Sequence, residues 1–278
     1  MNALCKLNLA SLTSLALIMS VHTPAEAFDL RELESAIWNQ KAISVCWENP
    51  ADTDAKERGW VQQRISETWQ AYSALQFTGW GACQDNSKGI RIVIEDRREY
   101  GDQECHTTGW WPFLENICTF KSWPVTPHTK ALGQNLNGMR NGMSLNFTFL
   151  HWSSSCRGND VTRESCIKAI AAHEFGHALG FPHEQNRPDT PVDCVAEKQG
   201  SNGDTYLTSY DPDSIMNYCN PLWNNGGILS TLDIAGLQKA YGSPSTKPTG
   251  LVALPAPSTA PATIASVAHT TIISFLLD

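Results

Sequence analysis

His173, Glu174, His177 and His183 place three imidazoles and a carboxylate within eleven positions of this 278-residue chain. On an α-helix, residues four apart lie one turn above each other, so His173 and His177 can present ring nitrogens to one point. A zinc ion takes such nitrogens at ~2.0–2.1 Å, and in catalytic sites it keeps one coordination position open. Glu174 is rotated by about a quarter turn from His173, beside that open position and off the ligand axis, where a base for a metal-held water belongs. Gly180 allows a left-handed turn that ends the helix, and Pro182 cannot continue it. The chain can therefore fold back and offer His183 as a third ligand. A bare HExxH pair is a modest signal, whereas the eleven-residue form with its turn glycine is far more specific.

The run His173-Glu174-Phe175-Gly176-His177-Ala178-Leu179-Gly180-Phe181-Pro182-His183-Glu184 resembles the zinc signature of the metzincin metallopeptidases. Its continuation, with Phe181, His183, Glu184, Arg187 and Asp189, is most similar to the astacin family. Downstream, Ser214-Ile215-Met216-Asn217-Tyr218 looks like the metzincin Met-turn in its astacin form. Two differences from the astacin pattern stand out: Asn217 where astacins commonly carry His, and Thr190 where they carry Arg. The closing segment, residues 231–242, resembles the end of a matrixin domain as much. The resemblance spans about residues 42–242 and is strongest over 167–218.

The resemblance implies an α+β metzincin-like fold, with a twisted mixed β-sheet and two long helices in an upper subdomain and an irregular lower subdomain ending in a helix. It implies Zn2+ as cofactor, held by His173, His177 and His183, with Met216 as an apolar floor beneath the metal. Hydrolysis of peptide bonds in proteins would proceed through a zinc-activated water, with Glu174 as general base and then as acid toward the leaving amine. Tyr218 matches the tyrosine that ligates zinc at rest and swings to bond the developing oxyanion. The alternative is a zinc-stabilised binding or adhesion domain without catalysis. Glu174 speaks against it, because a structural site normally closes its fourth position with a protein ligand.

Composition sets the frame: 41% hydrophobic and 17% charged residues are ordinary for a globular protein. A net charge of -8 gives no electrostatic reason to expect nucleic acid, and no basic run marks a membrane-surface patch. Residues 1–27 read as a secretory signal peptide, with Lys6, an apolar stretch over 9–21 and the cleavage pattern Ala25-Glu26-Ala27. Cleavage near Ala27 would release the protein to an extracellular or periplasmic space, as a monomer with no stable membrane insertion. Residues 28–41 are then a short pro-like segment, read as an amphipathic helix over 28–40. Residues 42–242 are the metallopeptidase catalytic domain. Residues 243–278, rich in Pro, Ala, Ser and Thr, are a flexible tail.

Cys5 would leave with the signal. Eight cysteines remain, an even number in a secreted context, which favours four disulfides. Sequence alone leaves 105 connectivities. Proximity along the chain and the layout suggest Cys46–Cys83, Cys105–Cys118, Cys156–Cys166 and Cys194–Cys219.

The elements that must position the histidines are legible from periodicity. Strands are expected at 42–47, 75–80, 89–95 and 144–150, with a long helix over 54–75 opened by Asp54 and Glu57. Residues 97–142, rich in Trp, Gly, Pro and Asn, are expected as loops and short strands. Part of this stretch would form the edge strand along which metzincin substrates lie extended. His106, His128 and His151 are read as structural or exposed residues. Asn146-Phe147-Thr148 matches a glycosylation acceptor. Asp160 or Thr162 would open the zinc helix, and Ser230 with Asp233 makes a capping box for a final helix that Gly242 and Pro244 stop.

Overall fold

The computed structural model describes residues 31–32, 34–110, 112, 115–200 and 202–245. The signal peptide with Cys5, the start of the pro-like segment and the tail beyond 245 lie outside the described residues. The central layer is a five-stranded sheet in the order β3-β2-β4-β8-β7, made of β2 (Ala42–Trp47), β3 (Gln76–Ala82), β4 (Ile90–Ile94), β7 (His128–Thr129) and β8 (Met143–Leu145). Strands β2, β3, β4 and β8 run parallel, and β7 closes one edge antiparallel to β8. Two helices accompany this sheet: α1 (Ala55–Ile65), prolonged by a π-helical turn over Ser66–Gln70, and α2 (Asp160–Ala178). The lower half is mostly turns, ending in α3 (Thr231–Tyr241). The fold is α+β, with the mixed sheet, paired helices and closing helix expected from the sequence.

One apolar core joins the layers. Ile43, Val45 and Trp47 of β2, Ile90 and Ile92 of β4, and Val61, Ile65 and Trp69 of the first helix meet Ile170, Ala171, Phe175 and Ala178 of α2. Alternation in the strands and 3.6-residue spacing in the helices put these side chains inward. The π-helical turn has a packing role: Trp69 is buried, its indole nitrogen donates to the Ala172 carbonyl at 2.8 Å, and its ring stacks on Phe181. Four disulfides brace the chain, Cys46–Cys83, Cys105–Cys118, Cys156–Cys166 and Cys194–Cys219, the same pairs as those suggested above.

Four local expectations are corrected. First, the described part of 28–40 is no helix: β1 (Arg31–Glu32) pairs with β9 (Thr205–Tyr206), followed by a single 3-10 turn. This segment is fastened to the core, with Trp38 2% exposed. The Trp38 indole donates to the Ala178 carbonyl at 2.7 Å, and the Tyr241 hydroxyl donates to the Leu179 carbonyl at 2.6 Å. Together they satisfy carbonyls at the end of α2 that no helical partner reaches.

Second, residues 98–124 form a long antiparallel hairpin, β5 (Arg98–Thr108) with β6 (Glu115–Pro124). Its strands escape a periodicity reading because neither face is buried, so no alternation is imposed. Third, the strand expected over 144–150 stops at Leu145. There the Asn146 side chain accepts from the Thr148 and Phe149 amides, and Asp96 accepts from the Leu150 and His151 amides. Side-chain acceptors thus take donors a strand would have used. Asn146 is 2% exposed, which leaves its amide inaccessible to glycosylation. Fourth, the helices start where expected, α1 with Asp54 as its N-cap residue and α2 at Asp160, but the side chain that caps α2 is Asn159, accepting from the Thr162 amide at 3.1 Å, and Asp54 spends its carboxylate on Ala51 N and Arg58.

Trp38→Phe keeps most of the ring volume and deletes the donor to the Ala178 carbonyl. The expected outcome is a loss of ~1–3 kcal/mol, read in urea unfolding as a lower midpoint with an unchanged slope.

Candidate active site

The site lies where α2 ends. His173 and His177 stand one turn apart on α2, and Gly180, at φ +98°, reverses the chain so that His183 faces them. Each ring is turned by the same device. The Nδ1 of His173 lies 2.8 Å from the Ile215 carbonyl, that of His177 2.8 Å from the Phe181 carbonyl and that of His183 3.0 Å from the Gln199 carbonyl. A carbonyl only accepts, so every Nδ1 carries the proton and every Nε2 is left with a bare lone pair. Those lone pairs face each other: His183 Nε2 is 3.2 Å from His173 Nε2 and 3.1 Å from His177 Nε2.

With no proton between them, such contacts are repulsive unless a cation sits among the nitrogens. Nitrogens held at ~2.0–2.1 Å around a tetrahedral centre lie roughly 3.3 Å apart, close to what is found. The donor set therefore fits zinc. Among the described residues these three histidines are the group of His, Cys, Asp or Glu side chains placed to hold a metal. Burial drives all three imidazoles toward the neutral, ligating form, His173 to about 3, His183 to about 4 and His177 well below its ordinary value. Mutual repulsion with His183 adds to the shift at His173 and His177.

Glu174 lies on the same helix, 5% exposed. Its Oε2 accepts from the Thr129 hydroxyl of β7 at 2.8 Å, and burial raises its pKa to about 7. Tyr218 lies over the histidines, with its ring 5.2 Å from that of His173 at an interplanar angle of 18° and 4.4 Å from that of His183. The Gln185 side chain fixes it by accepting from the Tyr218 amide at 3.1 Å. Burial, and then the nearby Glu174 charge, push the phenol well above its usual range. His128 and His151 are engaged elsewhere, with Thr126 O and Asp96, and His106 is exposed on the hairpin.

Met216 is fully buried against α2, in a hole that exists because residue 176 is glycine. A Cβ there would lie 2.3 Å from the Met216 sulfur and 3.1 Å from the Trp69 ring. The turn carrying Met216 is held by Asp233 of α3, whose carboxylate accepts from the Ser214 hydroxyl at 2.7 Å and from the Ile215 and Ser230 amides at 2.9 Å. A capping box at one helix thus fixes Ile215, whose carbonyl orients His173. On the other side of His183, Glu184 accepts from the Asp211 amide, while the buried Arg187 makes a two-pronged pair with Asp189 at 2.8 Å and donates to the Thr208 carbonyl.

Sequence reading missed Thr129, Gln185 and the second task of Asp233. Thr129 sits in a stretch without periodicity and carried no signal. Asp233 was visible as a cap, but its contact with a turn 18 residues earlier was not.

Residues 160–241 match the family model described as Astacin, a peptidase family. The protein is a zinc metalloendopeptidase, and this stretch of it is similar to astacin. The matched stretch holds all three histidines, Glu174, the Met-turn and α3, so the closing helix that resembled a matrixin end falls within the astacin match. No curated protein matches the sequence at a significant level. Among solved structures, myroilysin is 18% identical with a TM-score of 0.46, over 76% of this chain and 97% of that one. High choriolytic enzyme 1, a hatching-enzyme zinc protease of Oryzias latipes (Medaka fish), is 17% identical with a TM-score of 0.43, over 76% and 96%. The substrates of the peptidase are proteins or peptides, and its cofactor is zinc.

Gly176→Ala is expected to force Met216 and Trp69 apart at a cost of ~1–3 kcal/mol. Differential scanning calorimetry should show this as a fall of about 2–10 °C in Tm.

Proposed function

We propose that the peptidase is secreted and cuts internal peptide bonds of proteins with Glu174 as general base. In this reading His173, His177 and His183 hold the zinc, Met216 floors the site and Tyr218 stabilises the oxyanion. What carries the proposal is the placement of protons: three Nδ1 atoms committed to carbonyls and three Nε2 atoms left bare and converging. Zinc bound there supplies a Lewis acid that brings the pKa of a water toward ~7 and polarises the scissile carbonyl.

The remaining steps belong to the protein. Thr129 anchors Oε2 of Glu174 and leaves Oε1 to take the proton and pass it to the departing amine. A buried carboxylate takes up a proton more readily than an exposed one, and the same group can hand it on in the second leg of the transfer. The Tyr218 hydroxyl, held protonated by burial, is a donor for the charge that develops on the carbonyl oxygen. The substrate backbone is read as adding to the outer edge of β7, where Thr129 sits next to Glu174.

Secretion is supported by the cleavage pattern at Ala25-Glu26-Ala27 and by the four disulfides. Among the described residues no helix is long and apolar enough to cross a membrane. In this reading residues 42–242 form the catalytic domain of a monomer, residues 28–41 a pro-like segment strapped to it through Trp38, and residues 243–278 a tail. No feature of the site favours a non-catalytic adhesion domain.

Glu174→Gln should retain stoichiometric zinc by atomic absorption and lose ~10²–10⁴-fold in kcat/KM on casein. An undiminished rate would remove Glu174 from the reaction. Tyr218→Phe should lower kcat by ~10²-fold with KM nearly unchanged; an unaltered kcat would reduce Tyr218 to packing. Treatment with a chelator should abolish casein hydrolysis, and added zinc should restore it.

A further inference from the structure

The β5–β6 hairpin contributes no buried residue to the protein. Every position described in Arg98–Thr108 and Glu115–Pro124 is half-buried or exposed. A two-stranded ribbon of this kind is marginal by itself, and this one is stapled across its middle by Cys105–Cys118, which face each other in register. Among the described residues neither strand pairs with a third, and a hairpin with two such edges is also an association hazard. A covalent brace on an element that adds nothing to the core points to a task for its surface.

That surface carries large apolar side chains among its polar and charged ones. Of the large hydrophobic side chains exposed among the described residues, Tyr100, Trp110, Ile117, Phe120 and Trp123 belong to this hairpin or its tip, with Tyr100 69% and Phe120 60% exposed. Tyr100 lies opposite Ser122, and Phe120 is two residues before Ser122. The register shifts just after Tyr100, where β5 advances three residues while β6 advances two, so the regular alternation of β6 from Phe120 to Ser122 puts both aromatic rings on one face. The hairpin is also continuous with the catalytic edge. Its base is closed by the Val125 amide donating to the Arg97 carbonyl at 2.9 Å. Four residues beyond Val125 the same chain reaches Thr129, which holds Glu174. A polypeptide lying extended along β7 and continuing past His128 runs onto the hairpin.

We propose that the Tyr100–Phe120 face of the hairpin is an exosite for the protein substrate. It would hold an apolar, extended stretch of the chain being cut, several residues from the scissile bond. This rests on the reading of β7 as the substrate edge. The hairpin adds selection for long, unfolded polypeptides without touching the reacting atoms. Short peptides that end before the hairpin are cut without its help.

The test compares two substrates on one variant. Tyr100→Ser/Phe120→Ser should lose about 10-fold in kcat/KM on reduced, unfolded casein, mostly through KM. A fluorogenic peptide of about six residues should be hydrolysed within 2-fold of the unaltered rate, which also shows that the variant is folded and loaded with zinc. Equal losses on both substrates, or no loss on casein, would overturn the exosite. Sedimentation equilibrium of the unaltered protein supplies the rival outcomes: a dimer abolished by the same substitutions would assign the face to self-association. Flotation with phosphatidylcholine vesicles that depends on the two rings would assign it to a membrane surface. The peptide rate of the unaltered enzyme reports on the zinc site and the casein-to-peptide ratio on the hairpin, so either reading can fail alone.

Discussion

Three backbone carbonyls decide the chemistry of this protein. A neutral imidazole can ligate through either nitrogen, and which one is free depends on where the other places its proton. Ile215, Phe181 and Gln199 each take that proton at Nδ1, so the ring orientation and the ligating atom of all three histidines are set by main chain. These carbonyls come from the turn carrying Met216, from Phe181 three residues past the end of α2 and from the lower loop region. The protein must fold both halves correctly before three lone pairs can meet.

Much of the remaining structure supports those carbonyls. Asp233 caps α3 and holds Ser214 and Ile215, which in turn hold His173. Gly176 leaves room for Met216 against α2. Trp38 and Tyr241 bond the last carbonyls of α2 from outside the helix, next to the reversal at Gly180 that brings His183 round. The buried pair of Arg187 and Asp189, with Arg187 also on the Thr208 carbonyl, secures the chain that leaves His183. The site is rigid because each ligand is steadied by a partner that is itself held.

The sequence was most informative where spacing and chemistry coincide. Histidines at i and i+4, a turn glycine and a following proline define a site almost without tertiary knowledge, and the strands β2 and β4 announce themselves through buried alternation. It was least informative where the burial pattern is missing. The hairpin strands carry no alternation because both faces meet water, and Thr129 has no pattern around it. Asn146 and Asp96 end a strand by bonding backbone amides across the turn, a competition that hydrophobic spacing does not record. Trp38 read as one apolar side of a helix, yet it works as a hydrogen-bond donor to another element.

The disulfides are spaced by 37, 13, 10 and 25 residues, and the four loops neither nest nor interleave. Each cysteine's correct mate is therefore the next one to emerge, or the last one that did. In the secreted protein proposed above, a nascent chain threaded amino end first into an oxidising space can close each of these four bridges in order of arrival, with no bond to be undone later. Bridge formation in this chain can thus keep pace with synthesis without an isomerase to reshuffle it.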